Sequence, residues 1–360
     1  MRTSGLPRVV VDGRMVGEVS HGIARYVRMI AKGLAELPSL PYEPVFLAAP
    51  GMADAFASFE TIEMRTPFLD PKELALVPIA LWKAKAKLYH SPSFASLASA
   101  PCPWVVTIHD LNHLTYGGPM ERAYYETILR SFATRAKAVM TVSEFSKVEI
   151  ERWEPRLRPE VVYNAVDPKF LKEGGEIGPT LERFGLARDR YFICLSNEKP
   201  HKNLATLVRA FQTFRETGAA AREFKLVVSV KQFAEEPGVV ATDGLSDSDV
   251  HALVRGSRAL VFPSIYEGFG LPPVEGTALG ASLVVSDIPA HREALRDLGP
   301  ADALWVKPLA EAEWSAALKR AAAGGVRPVT PVARANLLDR YSVAKLGVAM
   351  DRIYRRVLER

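Results

Sequence analysis

Two glutamates spaced eight residues apart bracket a stretch rich in glycine and proline in the second half of the chain, Glu267-Gly-Phe-Gly-Leu-Pro-Pro-Val-Glu275. An apolar run that predicts a buried strand ends just before this stretch. Pro272 and Pro273 favour the first turn of a helix, where a missing N–H costs little. Unpaired backbone amides at such a helix start suit a phosphate group. The amides expected there are those of Phe269, Gly270 and Leu271.

The two carboxylates beside this phosphate seat need an explanation, because negative charge near a phosphate is unfavourable. Glu267 and Glu275 would be useful if each accepted hydrogen bonds from hydroxyl groups on either side of the phosphate, such as those of a sugar and a ribose. The alternative is a loop rich in turn residues, with Glu275 in the first helical turn interacting with the helix dipole. The whole combination favours a site for a phosphate and a sugar.

A second strand, loop and helix follow the same plan at Leu195-Ser-Asn-Glu-Lys-Pro-His-Lys-Asn203. Asn203 is predicted to be the helix N-cap, which puts Lys199 and Lys202 beside the positive end of a helix. Cations gathered there are unfavourable unless an anion neutralises them. The spacing therefore indicates a ligand with two or more phosphates, and a lysine-bearing surface turn is the alternative.

The first half of the chain places polar residues after two predicted strands. Gly22 opens a helix with Arg25 in its first turn, an arrangement that is common at helix starts. His109 and Asp110 follow a buried apolar run, where the imidazole would bind a polar group or carry a proton. A histidine with a purely structural role is the alternative.

Short apolar runs alternate with amphipathic stretches along the chain, and continuous apolar runs are typical of strands covered on both faces. The predicted strands are 8–12, 44–48, 88–90, 105–109, 138–142, 161–163, 191–195, 225–229, 239–241, 260–262, 282–285 and 304–306. The predicted helices are 23–37, 123–134, 204–217 and 314–323, and Ser143 or Ser146 is expected to cap a further one. Repeated strand–helix units imply parallel sheets with right-handed crossovers.

The sequence thus predicts an α/β fold of two Rossmann-like, doubly wound domains in tandem, with a ligand cleft between them. The polar stretch Lys172-Glu-Gly-Gly-Glu-Ile-Gly-Pro179 is interpreted as the linker. The expected boundaries are 1–172 for the first domain, 173–345 for the second, and 346–360 for a C-terminal helix that returns toward the first.

Composition excludes several classes of protein. The 48% of apolar and 24% of charged residues are ordinary for a globular protein, so a disordered chain is excluded. Lys and Arg number 46 against 41 Asp and Glu, an even balance that argues against a nucleic-acid partner. The two cysteines, Cys102 and Cys194, lie far apart and outside any zinc-ligand spacing, which predicts two buried small hydrophobic residues and no metal site.

No apolar run approaches the roughly 20 residues of a membrane span, and the first residues lack the apolar core of a signal peptide. A cytoplasmic protein is therefore expected. The stretch Leu81-Trp-Lys-Ala-Lys-Ala-Lys-Leu88 interleaves a tryptophan with three lysines. It leaves open a basic interfacial helix that touches the inner face of a membrane, although a solvated helix face is the favoured interpretation.

Taken together, seven segments resemble the retaining glycosyltransferases of the GT-B fold, in glycosyltransferase family 4, also called group 1. They appear in the family's order and span essentially the whole chain. They are Gly22-Ile-Ala-Arg-Tyr, Thr107-Ile-His-Asp-Leu, Val142-Ser-Glu-Phe-Ser-Lys, Tyr163-Asn-Ala-Val-Asp, Lys199-Pro-His-Lys-Asn, Glu267-Gly-Phe-Gly-Leu-Pro-Pro-Val-Glu and Ser286-Asp-Ile-Pro-Ala-His-Arg-Glu.

The resemblance implies that a sugar moves from a nucleotide diphosphate donor to an acceptor, with retention at the anomeric carbon and without a metal or other cofactor. Lys202 would neutralise the departing diphosphate, Glu267 would contact the donor sugar, and His109 would touch that sugar from the acceptor-side first domain. Glu275 would hold the ribose. The remaining assignments are Gly22, Asn197, Lys199, Phe269, Gly270 and Leu271 for the nucleotide and its phosphates, and Arg25 and Asp110 for the acceptor side.

Three departures from the family pattern stand out. Ser196-Asn197 occupies a place where many members have glycine followed by arginine, so Lys199 is expected as the second phosphate cation. Ser229-Val-Lys-Gln232 replaces a glycine-rich turn, and the short route onward predicts a lost helix in the region that helps to seat the base. Ala165 replaces a glycine in the segment after Tyr163.

The expected function is transfer of a hexosyl group, with mannosyl from GDP-mannose as the first choice, to a glycan or lipid-linked acceptor in the synthesis of a cell-surface polysaccharide such as lipopolysaccharide. A non-catalytic nucleotide-sugar or glycan-binding protein of the same fold is the alternative. A phosphorylase or sugar-phosphate synthase would need phosphate or a sugar phosphate as co-substrate. A dinucleotide oxidoreductase is disfavoured because no GxGxxG follows the first strand.

Overall fold

The computed structural model describes residues 5–17, 22–97, 99–171 and 175–359. The chain divides into an N-terminal unit, Met1–Ala165 with Tyr341–Arg360, and a C-terminal unit, Val166–Arg340. Residues 172–174, where the sequence placed a domain boundary, lie outside the described residues. The predicted linker extends too far, because its last three residues, 177–179, belong to a helix that begins at Ile177. The first turn of this helix accommodates Pro179.

A seven-stranded parallel sheet forms the centre of the N-terminal unit. Its strands are β1 (Arg8–Asp12), β2 (Glu43–Ala48), β3 (Glu60–Glu63), β4 (Ala86–Ser91), β5 (Trp104–Thr107), β6 (Ala138–Thr141) and β7 (Glu160–Val161), in the order β3-β2-β1-β4-β5-β6-β7. Its first helices are α1 (Gly22–Ala35), α2 (Glu73–Lys83), α3 (Asn112–Tyr116), α4 (Pro119–Tyr124), α5 (Arg130–Ala133) and α6 (Glu144–Trp153). Val9 and Val11 of β1 belong to the core under α1, whereas Val10 belongs to the core under α2. Both faces of the sheet are therefore covered, as the continuous apolar runs predict.

The structure adds one unpredicted strand to this unit, refines one predicted helix and corrects another. Strand β3 was not predicted, because it is a four-residue edge strand whose terminal glutamates are exposed and whose two central residues are only half-buried. The segment predicted as one helix over 123–134 consists of three consecutive helical pieces. They are the end of α4, a π-helical segment over 125–129 and α5. The helical interpretation of 81–88 is wrong, because α2 ends at Lys83 and β4 begins at Ala86, with Lys85 between them at a φ of 55°.

The carboxyl end of β1 carries a buried charged cluster. The Arg14 guanidinium donates to both carboxylate oxygens of Asp12, at 2.9 and 2.6 Å, and to Glu73 Oε2 at 3.1 Å. The Tyr89 hydroxyl donates to Asp12 Oδ2 at 3.0 Å. The Arg14 and Asp12 side chains are each 1% exposed. This cluster joins the end of β1 to the first residue of α2 and to β4.

The C-terminal unit is built on a six-stranded parallel sheet. Its strands are β8 (Tyr191–Cys194), β9 (Lys225–Val228), β10 (Val239–Ala241), β11 (Ala259–Phe262), β12 (Leu283–Ser286) and β13 (Ala303–Val306), in the order β10-β9-β8-β11-β12-β13. Its helices are α7 (Ile177–Arg183), α8 (Leu204–Arg215), α9 (Ala219–Arg222), α10 (Asp247–Gly256), α11 (Leu271–Ala278), α12 (Pro289–Ala294), α13 (Glu311–Ala322) and α14 (Pro331–Arg340). The strand order reverses between β8 and β11, as it does between β1 and β4 in the other unit. Ligands bind such sheets beyond the carboxyl ends of the strands at that reversal.

The connection between β9 and β10 is unusually short. Parallel neighbours are normally joined through a helix, but the described residues 229–238 contain only a single 3₁₀ turn, Lys231–Phe233. The helix that the sequence predicted to be lost in this region is absent from these residues.

The last helix, α15 (Val343–Leu358), belongs to the N-terminal unit and packs on α1. A Cβ atom on Gly33 would lie 2.7 Å from the carbonyl oxygen of Val343, so glycine permits the close approach of the two helices. Ser342 caps α15, which begins three residues before the predicted helix. Among the described residues, no helix has both the length and the apolar character that crossing a membrane requires.

Candidate active site

The loops that follow β8 and β11 bring a lysine and a glutamate into contact at the strand-order reversal of the C-terminal unit. Lys202 Nζ donates to Glu267 Oε1 at 2.7 Å, and Ser264 Oγ donates to the same oxygen, also at 2.7 Å. The side chains of Lys202 and Glu267 are 16% and 14% exposed. The pair is therefore mostly enclosed but still open to solvent, as a ligand-binding pair must be.

The environment keeps Glu267 ionised. Burial by itself raises the pKa of this carboxyl, but the charge of Lys202, the neighbouring His291 and the hydrogen bonds from Lys202 and Ser264 outweigh burial and hold the pKa below its usual value. An ionised carboxylate only accepts hydrogen bonds, so Glu267 suits the hydroxyl groups of a ligand. A phosphate group would compete with the Glu267 carboxylate for the Lys202 ammonium group.

The start of α11 lies in the same loop as Glu267. Gly270 is its N-cap residue and has a φ of 94°, and a Cβ atom there would lie 2.9 Å from Cδ2 of His291. Only glycine fits this position without strain. Within the described part of the chain, the N–H groups of Gly270 and Leu271 donate to no acceptor. They are two of the three helix-start donors expected from the sequence, and their binding of a phosphate stays a prediction. The neighbouring Phe269 side chain is buried.

Glu275 is buried and is the fifth residue of α11. It therefore lies beyond the first turn, and the alternative that explained it by the helix dipole is wrong because that effect is confined to the first turn. Its predicted contact with a ribose stays a prediction.

Two residues beside the Lys202–Glu267 pair were given no role from the sequence. Ser264 lies three residues before Glu267 in the same loop. The fully buried His291, from α12, donates from Nδ1 to the carbonyl oxygen of Ser286 at 3.1 Å, and burial lowers its pKa. The segment that begins at Ser286 was one of the seven recognised motifs, so the signal for His291 was present.

Asn203 corrects one prediction and explains how the loops are held. It occupies the N-cap position of α8, at a φ of 56°, but its side chain does not cap the helix. Instead, Nδ2 donates to the carbonyl oxygens of Pro263 at 3.0 Å and Pro308 at 2.7 Å. Asn203 thus ties together the loops after β8, β11 and β13, and it fixes the backbone next to Lys202.

Asn197 and Lys199 lie on the exposed part of the loop after β8. Asn197 Oδ1 accepts a hydrogen bond from the backbone N–H of Lys199 at 3.3 Å, which forms a local turn. Ser229 Oγ donates to the carbonyl oxygen of Ser196 and accepts from its N–H, so the start of this loop is fastened to the end of β9. The phosphate-binding roles of Asn197 and Lys199 stay predictions.

In the N-terminal unit, the predicted residues follow β1 and β5. Gly22 is exposed at the first position of α1, and Arg25 is half-buried one turn further on. Asp110 Oδ1 accepts from the N–H of Asn112 at 3.0 Å, at the start of α3. Their predicted part in acceptor or phosphate binding stays a prediction.

His109 lies two residues beyond the end of β5 in a well-defined position. Its Nε2 donates to the carbonyl oxygen of Pro92 at 2.9 Å, and its ring packs edge-on against Tyr26 with centroids 4.8 Å apart. Ser146 Oγ donates to the carbonyl oxygen of His109 at 2.9 Å. Ser143 is the N-cap of α6, as predicted, and accepts from the N–H of Ser146.

A buried polar chain supports the strand that leads to His109. The His90 imidazole contacts the Tyr354 hydroxyl of α15 through Nδ1 at 2.6 Å and the Thr107 hydroxyl of β5 through Nε2 at 2.9 Å. Burial lowers the pKa of His90 to about 3, so this histidine stays neutral. The chain belongs to the N-terminal unit and links α15 to β4 and β5.

The fold of the two units is that of the GT-B class. A sucrose-phosphate synthase from Thermosynechococcus elongatus has the same fold, with a TM-score of 0.77, 16% identity and coverage of 98% of this chain and 99% of that chain. HepE from Anabaena, crystallised with UDP-glucose, has a TM-score of 0.75 at 14% identity, with coverage of 97% of this chain and 99% of that chain.

Two family models match the chain one after the other, "Glycosyltransferase Family 4" over residues 20–170 and "Glycosyl transferases group 1" over residues 182–327. The chain belongs to glycosyltransferase family 4, group 1, as the seven motifs predicted.

Two curated relatives are the O-antigen chain mannosyltransferase RfbU of Salmonella typhimurium and the O-antigen chain mannosyltransferase B of Escherichia coli. The first is 27% identical over 224 residues, 59% of this chain and 59% of the relative. The second is 29% identical over 240 residues, 61% of this chain and 62% of the relative. The matched region thus spans about three fifths of the length of these relatives.

Proposed function

We propose that the protein is a retaining hexosyltransferase that moves a mannosyl group from a nucleotide diphosphate sugar to a glycan or lipid-linked acceptor during synthesis of a cell-surface polysaccharide. We propose further that it needs no metal ion and that it works at the cytoplasmic face of a membrane.

The observation that carries this proposal is the partly exposed Lys202–Glu267 pair beside the start of α11. A diphosphate that enters there would take Lys202 as its cation and the N–H groups of Gly270 and Leu271 as donors. Glu267 would then be released from Lys202 to accept hydrogen bonds from the hydroxyl groups of the sugar. One loop would hold both parts of the donor.

The transfer step needs positive charge at the leaving group. The bond between the anomeric carbon and the phosphate oxygen breaks, and its electron pair leaves with the diphosphate. The acceptor hydroxyl forms the new bond on the same face, and its proton passes to the departing phosphate oxygen. Preorganised donors that stabilise the growing negative charge lower the barrier. Lys202 and the amides of α11 would supply them.

The proposal of a mannosyl donor rests on the names of two related proteins. Proteins 27% and 29% identical to this chain are named O-antigen chain mannosyltransferases, which supports a mannosyl donor and a polysaccharide acceptor. Metal independence is supported by the site itself, because Lys202 and the helix start provide positive charge.

The test is to incubate the purified chain with GDP-mannose, UDP-glucose and UDP-galactose, each with EDTA or magnesium, and to follow the anomeric protons by NMR. Cleavage of GDP-mannose in EDTA, with the first sugar product in the α configuration of the donor, is the expected result. A first product in the β configuration would contradict retention, and cleavage that requires magnesium would contradict metal independence.

A second candidate is a protein that binds a nucleotide sugar without transferring it. It is favoured by the short connection between β9 and β10, which contains only one 3₁₀ turn, and by Asn197 in place of an arginine. This candidate predicts tight binding of GDP-mannose without any cleavage, so the same NMR experiment separates the two functions.

A further inference from the structure

Helix α2 presents an apolar face to solvent. Between Glu73 and Lys83 it contains nine apolar residues in a row, Leu-Ala-Leu-Val-Pro-Ile-Ala-Leu-Trp, of which Val77 and Leu81 are buried. A surface helix of a globular domain usually carries polar residues on its outer face. The exposed large side chains here are Leu74 (42%), Leu76 (41%), Ile79 (47%) and Trp82 (72%), with Leu69 (43%) just before the helix.

Exposed lysines precede and follow this apolar face in the sequence. Leu76, Ile79 and Trp82 follow one another at intervals of three residues and form one strip along the helix. The exposed lysines around the strip are Lys72, Lys83, Lys85 and Lys87. Within the described part of the chain, none of these four ammonium groups pairs with a carboxylate. Residues 69–87 contain four basic and two acidic residues, a net charge of +2.

The buried side of α2 is fixed, so the apolar face cannot turn inward. Glu73 Oε2 accepts hydrogen bonds from Arg14 Nη2 and from the backbone N–H of Leu69, both at 3.1 Å. Val77 and Leu81 are fully buried in the core of the unit. The helix is thus anchored at its first turn and along its inner side.

We propose that residues 69–87, the α2 surface, dock on an anionic phospholipid bilayer. The apolar strip would enter the headgroup region, with Trp82 at the interface, while the lysine ammonium groups contact lipid phosphates. The positive charge favours this occupant over a second copy of the chain, because two α2 surfaces would bring like charges together. This surface is the one by which the proposed transferase would reach the membrane. The biological role of docking rests on the proposed function, whereas the binding itself does not depend on it.

The experiment measures co-sedimentation of the full chain with vesicles, without any sugar donor. We expect binding to vesicles of phosphatidylglycerol in phosphatidylcholine, weak binding to pure phosphatidylcholine, and loss of binding at high salt. The triple substitution K83Q/K85Q/K87Q should lower the partition coefficient about fivefold per lysine, hence roughly a hundredfold. The matched control is K231Q/K307Q/K319Q, which removes the same charge from exposed positions of the C-terminal unit and should change binding little.

The apolar strip is tested by I79S/W82S against V148S/V332S, which alters two exposed valines elsewhere. We expect the first pair to weaken vesicle binding at least tenfold and the second to leave it unchanged. A blue shift of tryptophan fluorescence on vesicle addition should disappear in Trp82→Phe. Equal losses in a test variant and its control, or no binding of the unmodified chain to anionic vesicles, would overturn the proposal. Concentration-dependent dimerisation abolished by I79S/W82S would instead assign the surface to a second copy.

Because no donor is present, failure to bind vesicles leaves the transferase proposal standing, and failure to cleave GDP-mannose leaves the docking proposal standing.

Discussion

Each unit has an ion pair at the carboxyl end of its sheet, and the two differ in burial and in the cation used. In the N-terminal unit, Arg14 is 1% exposed and donates to Asp12 and Glu73 in fixed geometry. In the C-terminal unit, Lys202 and Glu267 share one contact and are 16% and 14% exposed. A guanidinium holds several acceptors rigidly, whereas an ammonium on a flexible stem can move to a new partner.

The difference separates an ion pair that supports the fold from one that can serve a ligand. The charges around Arg14 satisfy one another and are at most 5% exposed, so a ligand has no place among them. The Lys202–Glu267 pair lies beside helix-start amides that donate to no described acceptor. Both pairs lie at the carboxyl ends of strands, so their position alone would predict a ligand-binding role for each.

The largest expected effect is on folding. Arg14→Met leaves the Asp12 and Glu73 carboxylates buried without their cation, which should lower the free energy of unfolding by about 3–5 kcal/mol. Urea denaturation measures this loss. The control is Arg209→Met, which removes an exposed pair with Glu311, 59% and 39% exposed, and should cost less than about 1 kcal/mol. Equal losses would show that burial does not distinguish the two kinds of pair.

Lys202→Ala should reverse this pattern, with a large effect on turnover and a small one on stability. Loss of a preorganised cation at the leaving group should lower kcat by a factor that corresponds to about 2–4 kcal/mol. GDP-mannose cleavage measures the effect, and Lys307→Ala, an exposed lysine of the same unit, is the control. Near-normal turnover of Lys202→Ala would contradict the assignment of the diphosphate to this lysine.

The two glutamates of the site should separate into sugar and nucleotide functions. Glu267→Gln should reduce transfer with little change in GDP affinity, whereas Glu275→Gln should weaken GDP binding first. Each loss should be roughly 1.5–3 kcal/mol, as for hydrogen bonds to charged groups. Calorimetric GDP affinities together with kcat measure both effects. If Glu267→Gln lost GDP affinity and Glu275→Gln lost only turnover, the roles would be exchanged.

The smallest effect is a pH dependence of stability in the N-terminal unit. The unfolded chain takes up a proton at position 90 below pH 6.5, whereas the buried His90 has a pKa of about 3. Between these values the unfolded state binds more protons, so stability falls as pH drops, by at most about 1.4 kcal/mol per unit. His90→Gln should flatten the slope of unfolding free energy between pH 6.5 and 5. An unchanged slope would mean that His90 is protonated in the native state.

The sequence was sufficient for the central strands of both sheets because these strands are buried on both faces. All strands of the C-terminal unit were predicted within about a residue, whereas β3, exposed and flanked by glutamates, gave no apolar signal. The sequence also predicted that Lys202 and Glu267 each follow the end of a strand. Their direct contact, and the role of Asn203 as a bridge between loops, depend on side-chain geometry that spacing does not encode.

The central claim is that the Lys202–Glu267 pair gives way to the diphosphate of a donor. It is tested most directly by the thermal stability of the chain and of Lys202→Ala with UDP, GDP, ADP and CMP, each with and without magnesium. Ligand at about 100 times its dissociation constant should add roughly 2.7 kcal/mol to the folded state. We predict a shift with GDP that is equal with and without magnesium and is greatly reduced in Lys202→Ala. Equal GDP shifts in both proteins, or no shift with any diphosphate, would contradict the claim.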